Sequence, residues 1–262
     1  MRISLSLVCI ALFCFSCKKE SNTYSTTSAR DHAIAELNFE DVIKVVAAVS
    51  KETEGIRADF FDCIETLTVD TLSNPRTITV NFGQTTCTDD NGVRRQGSVS
   101  ISYTDRYLQE GAIMNVVLDG YKIDEFSVIG NLNIVNLGIN QNEKMAFTVQ
   151  VNNGKVKAPL NDYEIHWSST QYREWIEGSG SPWLIDDEYA ITGTSEGTNR
   201  EGEVFVANIR SALRSTYVCP WIVKGTTTIS EEGPEREINY GSGACDGQIS
   251  VTANGQVSEI NI

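Results

Sequence analysis

The chain has 262 residues, 21 of them Lys or Arg against 35 Asp or Glu, a formal net charge of −14. That balance disfavours nucleic acid, whose binding neutralises phosphates with clustered cations; Arg94-Arg95, one of the few such clusters, follows closely on Asp89 and Asp90. It also repels anionic head groups, while a hydrophobic share of 40% allows a substantial core in one large or two small domains.

Residues 1–16 read as a signal peptide. Arg2 supplies the positive start, Ile3 to Phe15 the apolar run, and Ser16 the small residue before a cut. The run is too short to span a bilayer, which takes about 20 apolar residues. Cys14-Phe15-Ser16-Cys17-Lys18-Lys19 resembles a bacterial lipobox, with Cys14 where Leu, Ile or Val is usual. The resemblance implies that Cys17 is lipidated and becomes the new N-terminus. Lys18, in place of the aspartate associated with inner-membrane retention, implies an outer-membrane lipoprotein held by its anchor, facing either the periplasm or the outside.

Residues 17–28 then form the lipidated cysteine and a polar, flexible tether. Ser28-Ala29-Arg30-Asp31 fits a capping box opening an amphipathic helix over 29–55, with Ile34, Leu37, Val42, Val45, Val46 and Val49 as its apolar stripe and Gly55 as its stop. Such a stripe normally packs on its own domain, so the helix is expected to lie on the body.

From 56 to 262 the period is two. Ile78, Val80 and Phe82, then Val99, Ile101 and Tyr103, then Phe147, Val149 and Val151 alternate with polar residues. Turn signals such as Asn91-Gly92, Asn153-Gly154 and Asn254-Gly255 separate the runs, and no crossover helix intervenes. The expected fold is mostly β: an antiparallel meander of roughly ten to thirteen strands, forming a sandwich or partly closed barrel.

Four cysteines remain beyond the leader and Cys17: Cys63, Cys87, Cys219 and Cys245, an even number suited to an oxidising compartment. Three pairings are possible, and an internal repeat over about 63–103 and 219–253 selects one. Cys63 precedes Val80-Asn81-Phe82-Gly83 and Cys87 as Cys219 precedes Ile238-Asn239-Tyr240-Gly241 and Cys245. The economical pairing is Cys63 with Cys87 and Cys219 with Cys245. A four-thiolate metal site would need Cys-x-x-Cys spacing, so no metal is expected there, and no cofactor is expected elsewhere.

Gly193-Thr194-Ser195-Glu196-Gly197 matches the nucleophile-elbow pattern, but the strand of Val204 to Val206 follows it, and His32 and His166 both precede it. It reads as a Gly-rich turn. Asp89-Asp90-Asn91 and Asp186-Asp187-Glu188 lack EF-hand spacing and read as solvated loops. Trp167, Trp175 and Trp183 recur every eight residues beside Tyr172; exposed, they are candidates for stacking on sugar rings, and buried, they are core.

The repeated Asn-aromatic-Gly segments, Ile191-Thr192-Gly193 to Thr198-Asn199-Arg200, and Cys219-Pro220-Trp221-Ile222-Val223 together resemble a group of uncharacterised Bacteroidetes lipoproteins. That resemblance implies an envelope location and brings no catalytic residue. Two readings of function follow: a monomeric, non-enzymatic lipoprotein that binds a glycan, a small ligand or another envelope protein, and a polysaccharide hydrolase acting through a pair of Asp or Glu carboxylates.

Overall fold

A computed structural model describes residues 25–52 and 63–262. The leader, Cys17 and Gly55 lie outside the described residues. The chain opens with helix α1 (Thr27–Glu52). Four strands follow: β1 (Thr66–Asp70), β2 (Arg76–Asn81), the two-residue β3 (Cys87–Thr88) and β4 (Arg94–Tyr103). The long central strands are β5 (Ile113–Ile123), β6 (Phe126–Ile139), β7 (Met145–Lys157), β8 (Glu164–Glu177), β9 (Glu188–Thr198) and β10 (Val204–Thr216). The sheet finishes with β11 (Lys224–Ser230), β12 (Arg236–Ser242), β13 (Gln248–Ala253) and β14 (Gln256–Asn261).

All fourteen belong to one antiparallel sheet in which each strand pairs with the next, β3 lying beside β4 off the main path. Its edges, β1 and β14, do not pair, so the sheet is an open roll. One strand more than the expected upper bound of thirteen appears, and it is accounted for by the two-residue β3; the architecture is the expected meander.

The helix joins the core of the body and is enclosed more fully than an amphipathic stripe requires. It is buried on every face, from Ala29, Phe39 and Val46 to the polar Asp31, Glu40 and Lys51. The sheet curls around it, and inward side chains such as Val149 and Val151 of β7, Ile165 of β8 and Phe205 of β10 form one core with it. Phe39 stacks on Trp167 with ring centroids 5.3 Å apart. Gly154 allows that approach: a Cβ there would lie 2.8 Å from Phe39 Cζ and 2.5 Å from the Trp167 carbonyl oxygen.

The helix start differs too. Thr27 is its first residue, Ser25 Oγ accepts the Thr27 N–H at 3.2 Å, and Ser28 lies within the first turn, its hydroxyl accepting from Asn199 Nδ2 at 2.9 Å. Asp31 therefore does not close a capping box; its carboxylate is taken by Arg200, whose N–H and Nε donate at 2.8 Å.

The internal repeat is real at the level of single bonds. Asn81 and Asn239 each accept, through Oδ1, the N–H two residues on, at 2.9 Å in both copies. The following glycines, Gly83 and Gly241, both adopt φ 86°, in the left-handed region that a side chain would strain. Between them Phe82 and Tyr240 point inward and are buried. The disulfides are Cys63–Cys87 and Cys219–Cys245, closing loops with separations of 24 and 26 residues. The turn after β3 and the loop before β11 meet over the helix, bringing Asp89, Asn91 and Val93 to Tyr217 and Pro220 around Asp41 and Lys44.

Candidate functional site

Inside the roll, the polar residues of α1 meet partners on the sheet's inner wall. His32, Glu36 and Glu40 recur every four residues, so they share one side of the helix. They face Trp167, Gln171 and Arg173, alternate inward positions of β8, in the same order. Glu40 takes both nitrogens of the Arg173 fork at 2.5 and 2.7 Å and also accepts the Ser215 hydroxyl. Asp41 accepts the Arg95 guanidinium and, at 2.5 Å, the Tyr121 hydroxyl, while Arg95 reaches Asp89 at 2.5 Å. Lys44 donates to the Cys219 carbonyl at 2.7 Å.

Lys51 closes the series. Its ammonium donates to Asp187 at 2.6 Å and to the Tyr189 hydroxyl at 2.8 Å, and sits 3.6 Å from the centre of the Trp175 ring. Trp175 Nε1 also donates to Asp187, at 3.0 Å. A buried carboxylate and ammonium are tolerated only with partners of this kind. Asp187, expected in a solvated loop, is instead part of the core; among the described residues no cluster of His, Cys, Asp and Glu is arranged to hold a metal.

Burial sets the protonation of this interior. It pushes the Glu36 carboxyl up to about 7, with Glu40's charge adding to the effect. It pushes His32 down to about 3 and Lys44 down to about 8, the latter held from falling further by Glu40 and Asp41. Burial acts on Glu40 in the same upward sense as on Glu36, but the charge and hydrogen bonds of Arg173 outweigh it and leave Glu40 below the ordinary carboxyl value.

One grouping here escaped sequence reasoning. Ser195 Oγ lies 3.4 Å from His32 Nδ1, and His32 Nε2 lies 3.8 Å from Glu36, so a residue of the Gly193–Gly197 motif meets a histidine and an acid. The chemistry of a nucleophile does not follow. His32 Nδ1 already accepts the Trp167 N–H at 3.2 Å, desolvation makes the imidazole a weak base, and Ser195 sits inside β9 rather than on a strand-to-helix turn. The three residues fill the interior. No local signal links His32 to Ser195, 163 positions apart.

The four aromatic ligand candidates do not converge. Trp167 and Trp175 are 2% and 3% exposed and belong to the core. Tyr172 occupies the opposite parity of β8, facing outward, where its hydroxyl accepts from Asn140 Nδ2 at 2.9 Å. Trp183 is 46% exposed, in the loop between β8 and β9. The four therefore do not share one exposed face: Trp167 and Trp175 point into the roll, Tyr172 points out of it, and Trp183 stands in the loop.

The outside of the roll carries a regular polar row among scattered exposed aliphatic residues such as Val117 and Val206. Register pairs Thr77 of β2, Ser102, Asn115, Asn133, Gln150, Thr170, Thr194 and Asn208 of β10 in one unbroken cross-strand row. Neighbours in such a row stand about 4.8 Å apart. A groove of about 320 Å³ opens along it, presenting Asn152, Ser168, Thr170, Thr194 and Glu196 beside Val206. A second cavity, about 230 Å³, lies beside the C-terminal end of α1 and is lined by Ser50, Arg76, Tyr103, Arg106 and Tyr107 together with Val69, Thr71, Ile78 and Met114. Among the described residues lining them, the groove has one carboxylate, Glu196, and the cavity none, where glycoside hydrolysis uses a pair.

Compared with known proteins, the chain matches no family model, no curated protein and no solved structure.

Proposed function

We propose that this chain is a lipid-anchored, monomeric lipoprotein of the bacterial outer membrane, acting without catalysis as a binding or structural module of the cell envelope. The observation that carries the reading is the filled interior: α1 occupies the space a small barrel would otherwise offer a ligand, and its charged groups are committed to the wall. Binding then falls outside this filled core, for instance along the outer row and its groove, where hydroxyl and amide side chains suit a polyhydroxylated partner such as a glycan.

The two disulfides support an oxidising compartment, and the Cys17 signal supports attachment by acyl chains. Among the described residues no helix is long and apolar enough to cross a membrane, so in this reading the anchor does the holding. The test is metabolic labelling with a palmitate analogue, followed by a glycan array on the purified chain. Labelling lost in Cys17→Ser, with saturable glycan binding weakened by Thr170→Tyr in the groove, supports the proposal. An unlabelled chain with free thiols in the cytosol would contradict it.

A further inference from the structure

We infer that the arginine-lined cavity beside the C-terminal end of α1 is a binding site for a small organic carboxylate, such as a sugar acid. The inference rests on the binding reading above and names a ligand class for it.

The charge of the cavity runs against that of the chain. Acidic residues outnumber basic ones 35 to 21 overall, yet among the described residues the cavity wall carries two guanidinium groups and no carboxylate. Arg76 is already set in place: its guanidinium donates to the Thr104 carbonyl and lies 5.0 Å from the centre of the Tyr103 ring. Arg106 makes no ion pair and no side-chain hydrogen bond among the described residues. Its backbone is fixed all the same, since its N–H donates to Asp105 Oδ1 at 2.8 Å and its carbonyl accepts the Gln109 N–H at 2.9 Å. A guanidinium that lacks a partner but hangs from an ordered turn is a planar fork ready for a carboxylate.

The floor is apolar. Ile78 and Met114 are almost completely buried, and the Tyr103 ring forms one wall. A bare inorganic anion would satisfy the guanidinium and leave the exposed Val69 and the half-buried Tyr103 ring uncovered. A compact body carrying one carboxylate would cover both: the charge on Arg106, the C–H face of a ring against Val69 and Tyr103. The volume, about 230 Å³, falls just below the usual range of small-molecule pockets, roughly 300–1,000 Å³, which favours a monosaccharide-sized ligand over a polymer.

The experiment is isothermal titration calorimetry on the purified full chain with glucuronate and with benzoate, using glucose and inorganic phosphate as comparison ligands. Saturable binding of at least one carboxylate is expected, with glucose silent and phosphate weaker. Arg106→Ala, on an exposed turn, is expected to keep the thermal melt of the parent and weaken the carboxylate at least about tenfold, the loss of one charge-assisted contact. Arg106→Lys is expected to fall between the two, because an ammonium cannot form the two-pronged contact. No saturable binding of either carboxylate at millimolar concentration, phosphate binding as tightly as both, or an unchanged affinity in Arg106→Ala would overturn the inference. Such a failure in a chain that still incorporates the palmitate analogue would remove the cavity assignment and leave the anchored module standing.

Discussion

Replacing Glu36 with Gln isolates the cost of burying a carboxylate inside the roll. Glu36 is 2% exposed, accepts the Gln171 amide at 2.5 Å, and has its carboxyl raised by burial from 4.5 to about 7. A raised acid value means the folded state prefers the protonated form. The stabilisation is therefore complete below pH 4.5 and is lost as pH climbs to about 7. At roughly 1.4 kcal/mol per decade of proton affinity, the gap corresponds to about 3 kcal/mol at pH 8 and under about 1 kcal/mol at pH 5. Glutamine keeps an acceptor for Gln171 and never ionises. Urea titrations of parent and Glu36→Gln at pH 5 and pH 8 are expected to give nearly equal stabilities at the lower pH and a variant more stable by up to about 3 kcal/mol at the higher. Because the other titrating groups are common to both chains, the difference reports Glu36 itself. An equal difference at the two pH values, or a variant less stable at pH 8, would refute the reasoning.

Two further perturbations probe the same frame. Arg173→Met strips Glu40 of its paired fork and leaves a buried carboxylate, which costs about 3–5 kcal/mol in urea denaturation; adding Glu40→Leu to the same chain is expected to restore most of the loss. Cys219→Ser with Cys245→Ser opens a loop of 26 residues' separation and is expected to lower stability by about 3 kcal/mol, read as an earlier melt that reductant does not shift as far as it shifts the parent.

The parts of this fold that sequence discloses are those carried by short periods. Alternation marks Ile78 and Val80 of β2 and Phe82 just past its end as one face, and the paired Asn-aromatic-Gly segments disclose both the repeat and the disulfide pairing, because the same turn geometry recurs in both copies. Enclosure of α1 has no such period. Glu36, Glu40, Lys44 and Lys51 look like a solvated face until Gln171, Arg173 and Asp187, more than 130 positions away, supply their partners. Tryptophan spacing misleads for a related reason. Trp167 and Trp175 share the parity of Arg173 and face inward, while Tyr172 faces out, and which parity is inner depends on how the whole sheet curls. The arginine cavity assembles Arg76 and Tyr103 from neighbouring strands with Ser50 from the helix and Arg106 from a turn, a set no local motif contains.

Amide hydrogen exchange along α1 bears most directly on the enclosed helix. If the sheet wraps it, the N–H groups from Phe39 to Val46 exchange only through global unfolding, as slowly as those at the centres of β7 and β8, on every side of the helix alike. Fast exchange along one side, with the periodicity of a helix lying on a surface, would contradict the account.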